Sequence, residues 1–141
     1  MHFYQDYEFE NEFSRNFMEK FPYEKIKPML YFSDWSKEIG DYYKDAKYHG
    51  NTATFPGFYA PQGRQLRLKA LDDKFLETLN DLGITNFEME TSAIYGLSKL
   101  LGHKAITVNS VIANRRRGEF SADHAASEKN MIEWVLDRIV K

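Results

Sequence analysis

The sequence predicts an α/β fold. Segments with helical spacing of apolar residues alternate with segments that read as strands, and glycine or proline stands at many of the boundaries. The chain has 141 residues, 43% of them hydrophobic and 28% charged, which suffices for one ordinary domain with its own core. In layered α/β folds the ligand sits on the loops beyond strand ends, so those loops are the first places to search for function.

The first 47 residues are predicted to form a helical, aromatic-rich N-terminal segment. Residues 8–20 predict a helix, because Phe9, Phe13 and Phe17 recur four positions apart. Such a stripe usually packs on a core, and the alternative is a subunit contact, where aromatic residues are enriched. The other predicted features are a break bracketed by Pro22 and Pro28, a short strand at 29–33 and a charged surface helix at 34–46.

Residues 48–141 alternate between strands and helices. Asp72 is a plausible N-cap for one helix, and Gly83 and Gly102 stand where two helices would stop. The apolar residues of 104–113 do not simply alternate, which is typical of a strand covered on both faces. The predicted elements are a strand at 50–55, a loop at 56–65, a short strand at 66–69, helices at 72–82 and 90–101, the covered strand, a loop at 113–120 and a helix at 121–140.

Three of these helices carry an apolar face that predicts packing against a core. The faces consist of Phe75, Leu76, Leu79 and Leu82 in the first helix, of Ala93, Ile94, Leu97, Leu100 and Leu101 in the second, and of Met131, Ile132, Val135, Leu136, Ile139 and Val140 in the last.

Composition argues against several classes of protein. The formal net charge of -2 gives no attraction to nucleic acid or anionic membranes, and no apolar run approaches the ~20 residues of a membrane span. The chain has no cysteine and its four histidines are scattered, so no metal site is expected. It shows no signal peptide, phosphate-binding glycine loop or nucleophile elbow. These features predict a cytoplasmic protein without nucleic-acid or membrane partners.

The loop after the first strand carries Phe58, Gln62 and Arg64. Gln62 offers an amide donor and a carbonyl acceptor, and Arg64 offers a rigid fork of donors. Together they could read a flat edge of alternating carbonyl and N–H groups, such as that of uracil, while Phe58 packs on the ring. The alternative is a proline-supported turn whose glutamine and arginine are merely solvated.

Two carboxylates, Glu88 and Glu90, flank Met89 in a predicted loop at 86–90, just before a helix. In an extended backbone both glutamates point the same way and Met89 points the other way. A carboxylate accepts hydrogen bonds from paired sugar hydroxyls, and a thioether packs on a sugar face. The alternative is that acidic residues here only complement the helix dipole, by ~0.3–1 kcal/mol.

The loop after the covered strand contains three consecutive arginines, Arg115 to Arg117. No basic stripe with interleaved aromatic residues surrounds them, so a solvated loop is a better interpretation than a nucleic-acid patch. One of the three could still close over a ligand. Asp123 and His124, at the start of the last helix, predict local capping rather than a catalytic pair.

Three runs of sequence together resemble the nucleoside phosphorylases of the uridine phosphorylase type. Residues 54–64 are similar to the uracil-recognition loop, residues 86–93 to the ribose-binding strand-to-helix junction, and residues 111–115 to the strand end and flap near the base. The runs occur in the family's order, and the resemblance covers residues 48–141. It implies the C-terminal half of an α/β/α sandwich with a central mixed sheet, in a family that forms dimers or hexamers.

The resemblance also implies roles for individual residues. Gln62 and Arg64 would bind the uracil carbonyls and N3–H and stabilise negative charge on the leaving base. Glu90 would hold the ribose 2′- and 3′-hydroxyls, so these three residues would be catalytic. The rest of the pocket would be Phe58 lining the base, Ile112 as an apolar wall, Met89 under the ribose, Glu88 supporting Glu90, and Arg115 approaching from the flap.

The implied reaction is phosphorolysis of uridine to uracil and ribose 1-phosphate, with inorganic phosphate as co-substrate and no cofactor. Catalysis would rest on positioning and electrostatic stabilisation, without a covalent nucleophile. Purine-specific relatives place an acidic residue after the covered strand, where this chain has Ile112, Ala113 and Asn114. That difference favours a pyrimidine, although Asn114 could serve a 6-oxopurine.

In the family the phosphate site comes from the first half of the chain, and this sequence starts after that region. No phosphate-binding residue is therefore expected in it. Three interpretations stay open: part of a uridine phosphorylase that is a homo-oligomer when intact, a non-catalytic nucleoside-binding module without a phosphate site, or a nucleosidase that uses water.

Overall fold

A computed structural model of the chain describes residues 11–57 and 74–140. Within these ranges the structure is mixed α/β, as predicted. The helices are α1 (Glu12–Lys20), α2 (Lys37–Gly40), α3 (Phe75–Asp81), α4 (Thr91–Leu100) and α5 (His124–Ile139), the strands are β1 (Asn51–Thr54), β2 (Ile84–Glu88), β3 (Ala113–Asn114) and β4 (Glu119–Phe120), and 3₁₀ turns cover Lys27–Met29 and Asp41–Tyr43.

Strands β1 and β2 form a parallel pair that positions the site. Thr54 lies opposite Glu88 at the carboxyl ends of the two strands. The N–H of Phe55 donates to the carbonyl of Glu88 at 2.9 Å, so the pairing continues just past the end of β1. Because the strands are parallel, the segments that follow both of them leave the sheet at the same edge.

The apolar core joins the aromatic N-terminal segment to helix α3 and strand β2. Its buried residues are Phe17, Phe21, Phe75, Leu79 and Ile84. Phe17 stacks on Phe21 with ring centroids 5.2 Å apart, and Phe13 packs against the cluster. The predicted core role is thus confirmed for Phe13 and Phe17, whereas Phe9 lies outside the described residues.

Most helix boundaries follow local signals. Asn11 caps α1 by accepting a hydrogen bond from the N–H of Ser14 at 2.8 Å. The predicted stops of α3 and α4 are confirmed, because Gly83 and Gly102 adopt φ of 89° and 72°, a region that glycine enters without strain. The proposed N-cap Asp72 and the strand predicted at 66–69 lie outside the described residues.

The predictions for 29–33 and 34–46 were wrong in detail. Met29 ends a 3₁₀ turn, and residues 30–33 form no strand. Residues 34–46 form the short helix α2 and a 3₁₀ turn instead of one helix. Gly40 interrupts this segment. A Cβ at Gly40 would collide with the ring of Trp35, so the glycine lets that ring pack directly on the backbone.

The predictions of a loop at 86–90 and of a strand at 104–113 were also wrong in part. Residues 86–88 belong to β2, and of the predicted strand only Ala113 in β3 lies in a described ladder, paired with β4. Two residues of this segment bond to groups outside any strand. The N–H and the carbonyl of Ala105 both bond to Ser36, and the N–H of Thr107 donates to the Tyr95 hydroxyl.

The apolar faces predicted on α4 and α5 are exposed. Ile94, Leu97 and Leu100 keep 42–44% of their surface accessible, and α5 has no buried residue. Helix α5 is held through Trp134, whose ring packs on buried Tyr43. Among the described residues, no helix is long and apolar enough to cross a bilayer.

Candidate functional site

The predicted site residues fall into two groups. Phe58, Gln62 and Arg64 lie outside the described residues, so their predicted roles stay predictions. The others lie in described segments, at the carboxyl end of β2 and at the β3–β4 hairpin. These are Glu88, Met89, Glu90, Ile112 and Arg115.

Glu88 is fastened at the junction of β1, β2 and α4. Its Oε1 accepts a hydrogen bond of 2.5 Å from the hydroxyl of Thr54. Its Oε2 accepts from the N–H of Glu90 at 2.8 Å and from the N–H of Thr91 at 2.6 Å. A carboxylate in this position satisfies N–H groups that a helix start leaves unpaired. Glu88 therefore makes the helix-dipole contacts that one interpretation of the sequence foresaw.

Met89 and Glu90 follow as an exposed bend. Met89 is 42% exposed, and Glu90 keeps its carboxylate at the surface. The N–H of Met89 donates to Glu90 Oε2 at 3.3 Å, and the described contacts leave Oε1 without a partner. The prediction that Glu88 and Glu90 point the same way assumed an extended backbone through Glu90. In the structure β2 ends at Glu88 and the chain then turns. The bend leaves Glu90, and not Glu88, available to an external ligand.

Arg115 lies in the turn of the β3–β4 hairpin, which falls in the loop predicted at 113–120, and Ile112 lies directly before β3. Ile112 is 44% exposed, and its carbonyl accepts from the N–H of Ser121 at 2.7 Å. Arg115 lies at the surface of the turn, and Asn114 Oδ1 accepts from the N–H of Arg117 at 3.2 Å. The contacts of the described residues bring Glu88, Met89 and Glu90 together but do not link them to Ile112. The local capping predicted for Asp123 is confirmed by its bond from the Ala126 N–H.

The environment of Glu88 keeps it ionised. Partial burial raises the pKa of Glu88, but the hydrogen bonds from Thr54, Glu90 and Thr91 outweigh burial and place the pKa below its ordinary value of 4.5. The carboxylate is therefore charged at neutral pH, and its negative charge lies against the positive end of the α4 dipole.

Acid is expected to weaken this junction. Because the folded-state pKa of Glu88 is lowered, its contribution to stability is complete above the ordinary pKa and is lost as the pH falls through the folded-state value. As the pH falls below the ordinary glutamate pKa of 4.5, the free energy of unfolding of wild type should fall more steeply than that of Glu88→Gln. Urea denaturation at several pH values measures both slopes, and equal slopes would contradict the expectation.

Titration of Asp45 does not affect the comparison of wild type with Glu88→Gln. A hydrogen bond from Arg138 lowers the pKa of Asp45, so this group also favours folding above its ordinary pKa. Both proteins retain the Asp45–Arg138 pair, and its contribution cancels in the difference between them.

A second concave region of the described residues lies away from Glu88. A groove of about 290 Å³ lies between α1 and the amino ends of the two strands, at Asn51 and Gly83, opposite to the edge where Glu88 lies. Within residues 11–57 and 74–140, no group of three or more histidine, aspartate or glutamate side chains could hold a metal ion.

Sequence reasoning missed Thr54 as a site residue. Besides donating to Glu88, its hydroxyl oxygen accepts from the N–H of Ser92 at 3.0 Å, so one side chain contacts both β2 and α4. The available signal was its place near the end of the threonine-rich strand predicted at 50–55. The missing information was that β2 exists and pairs with β1 in parallel.

Comparison with known proteins shows which proteins this chain is similar to. The chain is 35% identical over 100 residues to a uridine phosphorylase from Thermococcus kodakarensis, a match that covers 62% of this chain and 36% of that protein. It is 32% identical over 94 residues to purine nucleoside phosphorylase DeoD-type 2 from Aliivibrio fischeri, covering 65% of this chain and 36% of the relative. The chain is similar to part of a nucleoside phosphorylase.

The resemblance found in the sequence is thereby confirmed at the level of the nucleoside phosphorylases. A purine nucleoside phosphorylase from Colwellia psychrerythraea, 32% identical over 93 residues, agrees with it, and this chain again spans 36% of the relative's length. The nucleoside phosphorylases matched carry both uridine and purine names. No protein-family model and no solved structure matches the chain.

Proposed function

We propose that this chain supplies the ribose- and base-binding part of a nucleoside phosphorylase site of the uridine type. The observation that supports the proposal is that the carboxyl ends of the two parallel strands lie side by side. Thr54 and Glu88 are the last residues of adjacent strands. The loop that begins after β1 therefore leaves the sheet beside the Met89–Glu90 bend. We expect the loop after β1 to bind the base and the bend after β2 to bind the ribose. The two segments therefore begin next to each other.

The chemistry of the bend suits a neutral sugar. Glu90 offers an exposed carboxylate, which accepts hydrogen bonds from paired hydroxyls, and Met89 offers an exposed apolar surface for the sugar ring. Glu88 adds a second negative charge nearby, so the bend as a whole disfavours an anionic ligand. A ribose without a phosphate group fits this combination.

The choice of uridine rests on residues and not on the relatives, whose names include both base classes. Gln62 and Arg64 carry the donors and the acceptor that a uracil edge requires. No carboxylate stands at Ile112, Ala113 or Asn114 to protonate a purine. We therefore propose a pyrimidine nucleoside as the substrate.

The chain spans 36% of the length of the relatives named above. We propose that the phosphate site of the family lies in the part of the relatives that this similarity does not include. We propose that β1 and β2 belong to the central mixed sheet of an α/β/α sandwich. The exposed apolar faces of α4 and α5 are surfaces that such layering would cover.

Calorimetry of the full chain with uridine tests the proposal through Glu90→Gln. Removing the charge should weaken uridine binding at least about tenfold, because a hydrogen bond to a charged group contributes ~1.5–3 kcal/mol. Glu133→Gln is a matched control, since Glu133 is an exposed glutamate of α5 that pairs with Lys129. Its affinity for uridine should equal that of wild type.

Two outcomes would count against the proposal. Absence of heat with uridine would remove the nucleoside site, and equal affinity in wild type and Glu90→Gln would remove the role of Glu90. The partial coverage of the relatives favours a second candidate, a nucleoside-binding module without catalysis. Product analysis with phosphate separates the cases: ribose 1-phosphate indicates phosphorolysis, free ribose indicates hydrolysis, and binding without product indicates the module.

A further inference from the structure

We infer that Thr54 is a positioning residue that acts through Glu88 to hold the Met89–Glu90 bend in its ligand-binding conformation. The inference rests on the proposed function for its ligand, a nucleoside ribose. It assigns to the last residue of β1 a role in the ribose site, although Thr54 lies 34 residues before Glu88 in the sequence.

The Thr54 hydroxyl uses both of its hydrogen-bonding capacities. It donates to Glu88 Oε1 at 2.5 Å and accepts from the N–H of Ser92 at 3.0 Å. A hydroxyl can do both at once, whereas an aliphatic side chain of the same shape can do neither. Thr54 therefore fixes the carboxylate of β2 relative to the first turn of α4.

Glu88 transmits this constraint to the bend. With Oε1 held by Thr54, Oε2 is placed to accept from the N–H groups of Glu90 and Thr91. The backbone of Glu90 is thereby tied to the end of β2, while its carboxylate stays exposed. Loss of the Thr54 bond would let the Glu88 carboxylate rotate and would release the backbone that carries Glu90.

Further hydrogen bonds brace the same turn of α4 from both sides. The hydroxyl of Ser92 bonds to that of Tyr31 at 2.8 Å, which links the turn to the aromatic N-terminal segment. Thr91 is buried, and its hydroxyl donates to Thr107 at 3.4 Å. The first turn of α4 is thus a fixed support, and Thr54 is the described residue that joins it to Glu88 from β1.

The test compares Thr54→Val and Thr54→Ser in the full chain. Valine keeps the shape and removes the hydroxyl, and serine keeps the hydroxyl. Without nucleoside, Thr54→Val should shift the amide NMR resonances of Glu90 and Thr91 and the side-chain carboxyl resonance of Glu88. Uridine affinity measured by calorimetry should fall about three- to tenfold, as expected for the loss of one hydrogen bond. Thr54→Ser should restore both readouts.

Thr52→Val is the matched control. Thr52 lies on the same face of β1 two residues before Thr54, and its hydroxyl oxygen accepts from the side-chain amide of its cross-strand partner Asn86 at 3.4 Å. The substitution changes the same chemistry in the same strand without touching Glu88. It should leave the Glu90 and Thr91 resonances and the uridine affinity as in wild type.

The two readouts separate this inference from the proposed function. Unchanged Glu90 and Thr91 resonances in Thr54→Val would overturn the inference whatever the nucleoside result. Shifted resonances with unchanged uridine affinity, while Glu90→Gln binds weakly, would also overturn it, because the bend would then need no positioning. A wild-type chain that binds no nucleoside would refute the proposed function, and the ribose-site role of Thr54 would fall with it.

Discussion

Phe21→Ala should destabilise the protein by about 3–5 kcal/mol, as is typical when a buried aromatic ring is truncated in a core. Phe21 is only 2% exposed and is the largest fully buried side chain among the described residues. Its ring packs between those of Phe17 and Tyr23, at centroid distances of 5.2 and 5.4 Å. The substitution leaves a cavity where α1 ends and the core begins.

Urea denaturation followed by circular dichroism measures this loss. Met29→Ala is a suitable control, because Met29 is 75% exposed and should change the free energy of unfolding by less than about 0.5 kcal/mol. A loss below about 1 kcal/mol for Phe21→Ala would mean that the N-terminal segment does not share the core. Because domains are stable by only ~5–15 kcal/mol, the variant should be partly unfolded at moderate temperature.

Trp134→Ala should release α5 from the rest of the protein. The Trp134 ring packs on Tyr43 at 5.5 Å, and the Arg138 guanidinium lies 3.7 Å from the centre of that ring. Arg138 in turn bonds to Asp45. Loss of the aromatic pair, the cation–π contact and the buried ring surface should cost about 2–3 kcal/mol in total.

Hydrogen exchange identifies where that stability is lost. Amides of His124–Ile139 should lose protection in Trp134→Ala, while those of β1 and β2 keep it, since α5 contributes no buried residue to the core. Ile132→Ala is the control within the same helix, because Ile132 is 52% exposed and should leave protection unchanged. Equal protection of α5 in wild type and Trp134→Ala would contradict a helix held by this one cluster.

Local signals predicted four of the described helices, α1, α3, α4 and α5, but not the short helix α2. The four-residue spacing of Phe13 and Phe17 indicated a core-facing helix, and Gly83 and Gly102 indicated where two helices end, because only glycine takes a positive φ without strain. The strand predicted at 104–113 failed for a non-local reason. A strand requires a neighbour, and the groups of Ala105 and Thr107 bond instead to Ser36 and Tyr95.

The roles of the candidate site residues stay predictions, and the spacing of the two glutamates alone could not say which of them the fold holds in place. Glu88 and Glu90 are identical residues two positions apart, and no local pattern says which of them is held and which is available. Thr54 makes the difference, and its effect depends on the register that places it opposite Glu88. Register is a property of two strands together, so it could not be read from either loop alone.

The hydrogen bonds around the first turn of α4 also bear on the order of folding. They join residues distant in the chain: Thr54 and Glu88 are separated by 34 positions, Thr54 and Ser92 by 38, and Tyr31 and Ser92 by 61. Long loops must close before such contacts can form, and each contact returns little energy for that entropic cost. We therefore expect the bend that carries Glu90 to reach its native form late, after the aromatic core has collapsed, and to be among the first parts to open.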